Sequence, residues 1–443
     1  MLFGQAYKDR LLKADQPTRR EFAARTARAL LGVGLLPSIF PDRAASGAAA
    51  TPQPTTRPAR GATAKRVIYL YMAGGMSHLD TFDPKPGTDA AGPVRPLNSS
   101  TDGAQLTEYL PRSAKCMHLG SMVRSMTSNQ GAHEQGNYFM HTSNKLVGTI
   151  RHPAMGAWLD MLQGGGNATL PNNVYIGNDS RHPGAGFLPS QYAPLFVSNP
   201  ENGLQNVKLP KGVNEREQSA RLTLGGQLDA AFESSFDQKN VRAYSQMYDR
   251  ALSLMKSADL AAFDLTQEPE PVRKAYGSDA FGQGCLLARR LVQRDVRFVE
   301  VSINGWDTHT ANFVRVPELC DVLDRALSTL LTELSSLGML HDTMVVLATE
   351  FGRTPIINLN QGRDHFPKAF SCAMFGGGIK RGYVHGKTNK DGSEVADDEV
   401  QIPDLNATIA TALGLPLDKV ILSPTGRPFT VSAKGKPVEA LFA

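Results

Sequence analysis

What this 443-residue sequence lacks narrows its class before what it contains. No later stretch approaches the roughly 20 continuous apolar residues that cross a bilayer, so no membrane span is expected in the mature chain. No lysine-rich stripe is present, and the formal charge of +5 owes much to a basic leader ending near Arg43. The remainder lies nearer neutrality, which removes nucleic acid from the expected partners. The four cysteines, Cys116, Cys285, Cys320 and Cys372, are far apart and form no CxxC pair. They suit either disulfides in an oxidising compartment or buried thiols among apolar neighbours. Internal repeats are missing too. What remains, 41% apolar and 20% charged, is the composition of a globular chain with a sizeable core.

The N-terminus carries three features in order. A paired-arginine motif, Thr18-Arg19-Arg20-Glu21-Phe22, precedes a short apolar stretch from Ala29 to Leu36, and a small-residue segment follows from Ala44 to Ala50. Charged start, apolar core and Ala-x-Ala-like exit make a signal peptide, and the arginine pair assigns it to the twin-arginine route. The expected organisation is a signal peptide over 1–50, a Pro/Thr/Ala-rich linker over 51–64 and one domain over 65–443. A helical insertion is expected at about 213–260. Cleavage would leave roughly 390 residues, exported to the periplasm or beyond the cell.

Strand and helix patterns alternate along that domain. Arg66 to Met72 reads as a strand running into Ala73-Gly74-Gly75, where glycine permits a tight turn. Phe281 to Arg294 reads as an amphipathic helix, followed by a strand from Val296 to Val301. Val322 to Leu337 reads as another helix, followed by a strand from Thr343 to Ala348. Helices leading into continuous apolar strands imply a mainly parallel sheet covered on both faces. In such sheets ligands gather beyond the carboxyl ends of the strands.

Polar clusters stand at those ends. Gly74 to Asp83 contains His78 and Asp80. Gly305-Trp306-Asp307-Thr308-His309 follows the second strand, and Thr349-Glu350-Phe351-Gly352-Arg353-Thr354-Pro355 the third. Gly362-Arg363-Asp364-His365-Phe366-Pro367 comes next. Imidazole and carboxylate together suit a divalent cation such as zinc or manganese, and the same residues also suit a structural polar network. A fifth segment, Arg124 to Glu134, places Thr127 and Ser128 before a helical stretch with His133. Those hydroxyls are nucleophiles if a metal lowers their pKa, or ordinary helix caps. Arg353 either clamps an oxyanion bidentately or makes a structural ion pair.

The motifs GGMSHLDTFDPKP, HPAMGAWL, FGQGCLLARRL, GWDTH, TEFGRTP and GRDHFP together resemble those of the domain of unknown function 1501 family, exported proteins similar to sulfatases and alkaline phosphatases. The resemblance covers nearly the whole mature chain. It implies an alkaline-phosphatase-like three-layer α/β/α sandwich with a mainly parallel central sheet. It implies metal at the strand ends (Zn, Mn or Ca), held by Asp307, His309 and His365, with Glu350, Asp364, His78 or Asp80 completing the shell. It also implies a nucleophile-bearing turn over Thr127 to His133, with Ser128 and Thr127 competing and His133 orienting substrate or shuttling a proton. Phe351 stands where a second metal's imidazole is expected, and no Cys-x-Pro-x-Arg motif is present, which argues against arylsulfatase chemistry.

The function expected is an exported metal-dependent hydrolase acting on phosphate or sulfate esters, small or polymeric. Two alternatives stand beside it: a non-catalytic exported binding protein with a degenerate site, and a group transferase using the same metal geometry.

Overall fold

The computed structural model describes residues 63–178, 180–204 and 251–443, with scattered positions from 212 to 223. The signal peptide, nearly all of the linker and most of the helical insertion expected from the sequence lie outside these residues. One compact unit, Pro54–Gly203 with Ser257–Ala443, contains everything discussed below. The other, Met1–Gln53 with Leu204–Lys256, falls almost wholly outside the described residues.

Nine strands among the described residues form the main sheet. In chain order they are β1 (Arg66–Ala73), β2 (Gly120–Thr127), β3 (Asn173–Ile176), β4 (Leu195–Val197), β5 (Phe298–Asn304), β6 (Thr343–Ala348), β7 (Phe370–Phe375), β8 (Tyr383–His385) and β9 (Val400–Gln401). They lie in the order β8-β2-β7-β6-β1-β5-β3-β4, and β9 also pairs with β2. β1 is central and parallel to both neighbours, with Leu70 opposite Val301 on one side and Leu347 on the other. Its residues after Arg66 are all buried, as a strand covered on both faces requires.

Only β7 runs against its neighbours, antiparallel to both β2 and β6. The reason is in the connection: no helix separates Ala348 from Phe370. Without a crossover helix the chain cannot return to the start of the sheet, so it re-enters from the edge it left. The other strands share one direction. The ends of β1, β2, β5 and β6 therefore open onto the same edge, where β7 begins.

Five helices matter here: α1 (His133–Thr142), α2 (Met155–Leu162), α3 (Ala280–Val292), α4 (Asn312–Ser336) and α5 (Ile402–Ala412). Apolar side chains of α1, α2 and α5 join one core with Val67, Tyr69 and Tyr71 of β1. α3 and α4 pack on each other and α3 covers β5, with Gly284 facing Val301 and Ile176. The result is the α/β/α sandwich expected, with a mainly parallel sheet.

α4 starts ten residues before the expected Val322 and includes Pro317, which in a helix interior costs about 3 kcal/mol. Val316, Cys320, Leu323, Leu327, Leu330, Leu331 and Leu334 recur at helical spacing and are all buried, which outweighs that cost. β5, by contrast, starts and ends later than expected, at Asn304, delivering Gly305 directly to the sheet edge. All four cysteines are free, and three of them are buried.

Candidate metal centre

Each wall of the site is a strand end. β1 runs into Gly74, whose φ of +119° is open to glycine. A Cβ there would stand 2.5 Å from the Asp307 nitrogen, so the close passage of the Gly305–Asp307 segment requires its absence. After β2, the turn through Gly131 leads into α1, which begins at His133. β5 delivers Asp307 and His309, and β6 delivers Glu350. The segment after β6 forms a two-residue ladder in which His365 pairs with Arg353.

Three imidazoles converge on one carboxylate oxygen. Asp307 Oδ1 lies 3.3 Å from His133 Nε2, 3.2 Å from His309 Nε2 and 3.4 Å from His365 Nε2. His309 Nε2 and His365 Nε2 are 3.0 Å apart. The other nitrogen of each ring is committed outward. His133 Nδ1 donates to Glu350 Oε1 at 2.8 Å, His309 Nδ1 to Asp364 Oδ1 at 2.6 Å, and His365 Nδ1 to the Gly131 carbonyl at 2.8 Å. Carboxylate and carbonyl oxygens only accept, so in its neutral form each ring carries its proton on Nδ1 and turns a lone pair inward at Nε2.

Three lone pairs facing a carboxylate repel one another unless a cation sits among them. His133 Nε2 is buried without a hydrogen-bond partner, which is what such a cation would correct. His133, Asp307 and His365 each offer a ligand atom within 4.8 Å of the others. Ligands about 2.0–2.1 Å from a tetrahedral ion stand roughly 3.3 Å apart, and the contacts to Asp307 lie within 0.1 Å of that. Outward hydrogen bonds that fix the tautomer of each ring are the usual second layer of a histidine metal site. The donor set fits a divalent ion.

Charge supports the same geometry. Partial burial pulls the Asp307 carboxyl upward, but the Arg353 hydrogen bond and charge, then His133 and His309, hold it down at about 2. Glu350 is buried, which alone would raise its pKa. The His133 hydrogen bond, with the Gly74 N–H at 2.9 Å, keeps it below the usual range instead. Tyr71 donates to the second Glu350 oxygen at 3.0 Å. Burial depresses His365, whereas Glu350 and Asp307 outweigh burial at His133 and raise it. Phe351 is fully buried, its ring 5.1 Å from that of His133 and 4.8 Å from that of His365. The phenyl group is an apolar wall behind the imidazoles.

Not every expected residue joins the cluster. Asp80 is spent on a fully buried pair with Arg363, at 2.9 and 3.0 Å, and accepts from Asn312 as well. Buried His78 meets the Gly392 carbonyl at 2.9 Å, and burial lowers its pKa. Glu350 and Asp364 orient His133 and His309 by their hydrogen bonds to those rings. Arg353 does not present a free fork. Its donors go to the carbonyls of Gly74, Gly75 and Arg363 and to Asp307 Oδ1, the last at 2.6 Å. Thr127 Oγ1 donates to Glu399 at 2.7 Å, and Ser128 Oγ accepts from the Gln130 N–H within its own turn. His133, expected to orient substrate or shuttle a proton, lies in the cluster with Asp307, His309 and His365. Its position as the first residue of α1, beside a strand end, was the available signal.

A second histidine–carboxylate group, His141, His182 and Glu300, lies deeper and was not foreseen. Among the described residues no helix is long and apolar enough to cross a membrane.

The family model for proteins of unknown function designated DUF1501 matches residues 64–442. The chain belongs to that family. No curated protein matches it. Solved structures similar in fold include an alkaline phosphatase superfamily protein from Vibrio parahaemolyticus, at 11% identity and TM-score 0.41, covering 87% of this chain and 72% of that one. Wild-type alkaline phosphatase PafA matches at 11% identity and TM-score 0.40, covering 88% and 100%. The lipoteichoic acid synthase LtaP from Listeria monocytogenes matches at 10% and 0.38, covering 81% and 74%. Likeness at this level concerns architecture, and nothing about activity follows from it.

Proposed function

We propose that this family member is an exported, metal-dependent hydrolase of phosphate or sulfate esters. The observation that carries the metal is the set of three Nε2 atoms turned onto Asp307 while every Nδ1–H is held from outside. His133, His309, His365 and Asp307 would hold the ion. A donor set rich in imidazole suits zinc or manganese; calcium takes six to eight oxygens. A divalent ion there supplies Lewis-acid polarisation of the ester and activation of the attacking group.

The chain's own residues do the rest. Glu350, Asp364 and the Gly131 carbonyl hold the three rings in one tautomer. Arg353 fixes the Asp307 carboxylate and keeps it ionised. With the hydroxyls of Thr127 and Ser128 bound elsewhere, water is the attacking group in this reading. The ester class rests on the motif resemblance of the strand-end clusters, and export on the Arg19–Arg20 pair with the apolar and small-residue segments behind it.

A second reading, an exported binding protein with a degenerate site, is favoured by Phe351, a wall where a second metal ligand would stand. Elemental mass spectrometry decides between them, run beside the double variant Asp307→Ala, His309→Ala. About one equivalent of zinc or manganese, lost in the variant, together with turnover in a screen of phosphate and sulfate esters, supports the hydrolase. Absence of metal after reloading sinks it. Metal without turnover of any ester leaves the binding protein.

A further inference from the structure

Glu300 lies within β5 and is only 2% exposed. His141 Nε2 is 2.8 Å from its Oε1, and His182 Nε2 is 3.3 Å from its Oε2. These ligand atoms are as closely grouped as those at the surface cluster, so distance alone would make a second metal site. The hydrogen-bond partners argue otherwise. The Gly184 N–H donates to His182 Nδ1 at 3.1 Å, so that ring's proton is on Nε2 and is given to Glu300. His141 has an acceptor at each nitrogen, the Asn137 carbonyl at 2.8 Å and Glu300. Its 2.8 Å contact to Glu300 is shorter than the 3.2–3.4 Å between the surface rings and Asp307, and donation at both nitrogens would make it an imidazolium.

The cluster also sits at a junction. α1 begins with His133 and holds His141 in its last turn, while β5 holds Glu300 and runs out into Asp307. One ion pair thus ties together the two elements that each deliver a ligand. A second path runs alongside. The Tyr71 ring packs edge-on against His141, 4.6 Å between centroids, and its hydroxyl holds Glu350, the acceptor of the His133 Nδ1–H.

We infer that His141, His182 and Glu300 hold protons rather than a metal, and form a buried lock that seats α1 on β5 so that His133 meets Asp307. Its positioning role rests on the surface cluster being the metal site. The protonation half stands apart from that reading.

Histidine nitrogen resonances of the wild-type protein test the protons, and titrations with zinc and cobalt test the positioning. The expected result is a His141 protonated at both nitrogens and one equivalent of zinc. In folded Glu300→Gln, zinc affinity should fall about tenfold or more, as when a residue supporting a metal ligand is lost, and the cobalt absorption spectrum should change. Tyr71→Phe should give a smaller change in the same direction, and it serves in place of Glu300→Gln should that variant not fold. Two equivalents in the wild type, one lost with Glu300, would overturn the lock, as would a His141 lacking either proton. Unchanged affinity and an unchanged cobalt spectrum in the folded variant overturn its positioning role. A wild type that takes up no ion overturns the surface metal site and the positioning with it, while the His141 resonances still decide where the protons are.

Discussion

Asp80→Asn separates the two roles open to Asp80, metal ligand and structural anion. The side chains of Asp80 and Arg363 are both at 0% exposure. Two N–H···O contacts, at 2.9 and 3.0 Å, join them, and Asn312 donates to the same carboxylate at 3.0 Å. Asparagine keeps one acceptor and turns an N–H₂ group toward donors. The guanidinium is left with neutral acceptors alone, the new amide oxygen and the carbonyls of Ala90, Thr354 and Pro355. Removing one partner of a buried pair costs about 3–5 kcal/mol, because the remaining charge is neither solvated nor compensated. At about 2–4 °C per kcal/mol for a large domain, Tm should fall by roughly 6–20 °C. Thermal and denaturant unfolding measure the loss, and zinc titration of the folded fraction measures the ion. The ion should stay, with affinity reduced less than in His365→Ala. The double variant Asp80→Leu, Arg363→Met should recover much of the stability, since a well-packed apolar pair can replace an ionic one. An Asp80→Asn protein within about 1 kcal/mol of wild type, or one equally stable that has lost its ion, would refute the reasoning and return Asp80 to the metal site.

Replacing both Thr127 and Ser128 by alanine should leave kcat/KM within about threefold on any ester the wild type hydrolyses; a loss of 10²–10⁴, typical of a missing acid, base or nucleophile, would place the attacking hydroxyl in that turn. Burial raises the Glu300 carboxyl, yet His141 and His182 bring it from 4.5 to about 2, a fall corresponding to roughly 3 kcal/mol at 1.36 kcal/mol per pH unit. Because the folded pKa is depressed, that stability is whole above about pH 4.5 and is lost as pH falls towards 2. The gap in unfolding free energy between wild type and Glu300→Gln should therefore shrink across that window, and a gap constant with pH would contradict the assignment. Gly362→Ala would set a Cβ 1.8 Å from the His309 carbonyl oxygen. It should weaken zinc binding tenfold or more by shifting His309, whereas Gly426→Ala, with open space around it but a φ of +78°, should cost only a little stability and leave the ion bound.

The fold was legible where burial writes itself as continuous apolar runs. β1 and β6 came out within a residue of their observed bounds, and the clusters behind them mark one edge of the sheet. The first ten residues of α4 were not legible: Pro317 sits among them, and the seven buried side chains that outweigh it act together. The direction of β7 was hidden, since nothing in Phe370–Phe375 tells a parallel neighbour from an antiparallel one. Its orientation follows from the absence of a crossover helix before it. At the site, residue types were legible and pairings were not. Asp80 and His78 share a segment with Gly74 and Gly75, but only the packing of Arg363 shows that Asp80 is already spent.

Arg353 shows why sequence could name the parts of this centre without ordering them. A cation following a strand end reads equally as a substrate clamp or a structural tie, and its partners decide. Here they are two carbonyls at the end of β1, one beside Asp364, and the carboxylate that three imidazoles face. The guanidinium therefore gathers three segments before any ion arrives, and it holds Asp307 ionised against the burial that would neutralise it. The carbonyl and carboxylates behind His365, His309 and His133 do the same for the rings, setting each lone pair inward. A centre assembled this way carries its repulsion within it. Arg353 hydrogen-bonds Asp307, so the mutual repulsion of the three Nε2 atoms is left for a bound cation to relieve, and stability should rise on loading by an amount that grows with the affinity.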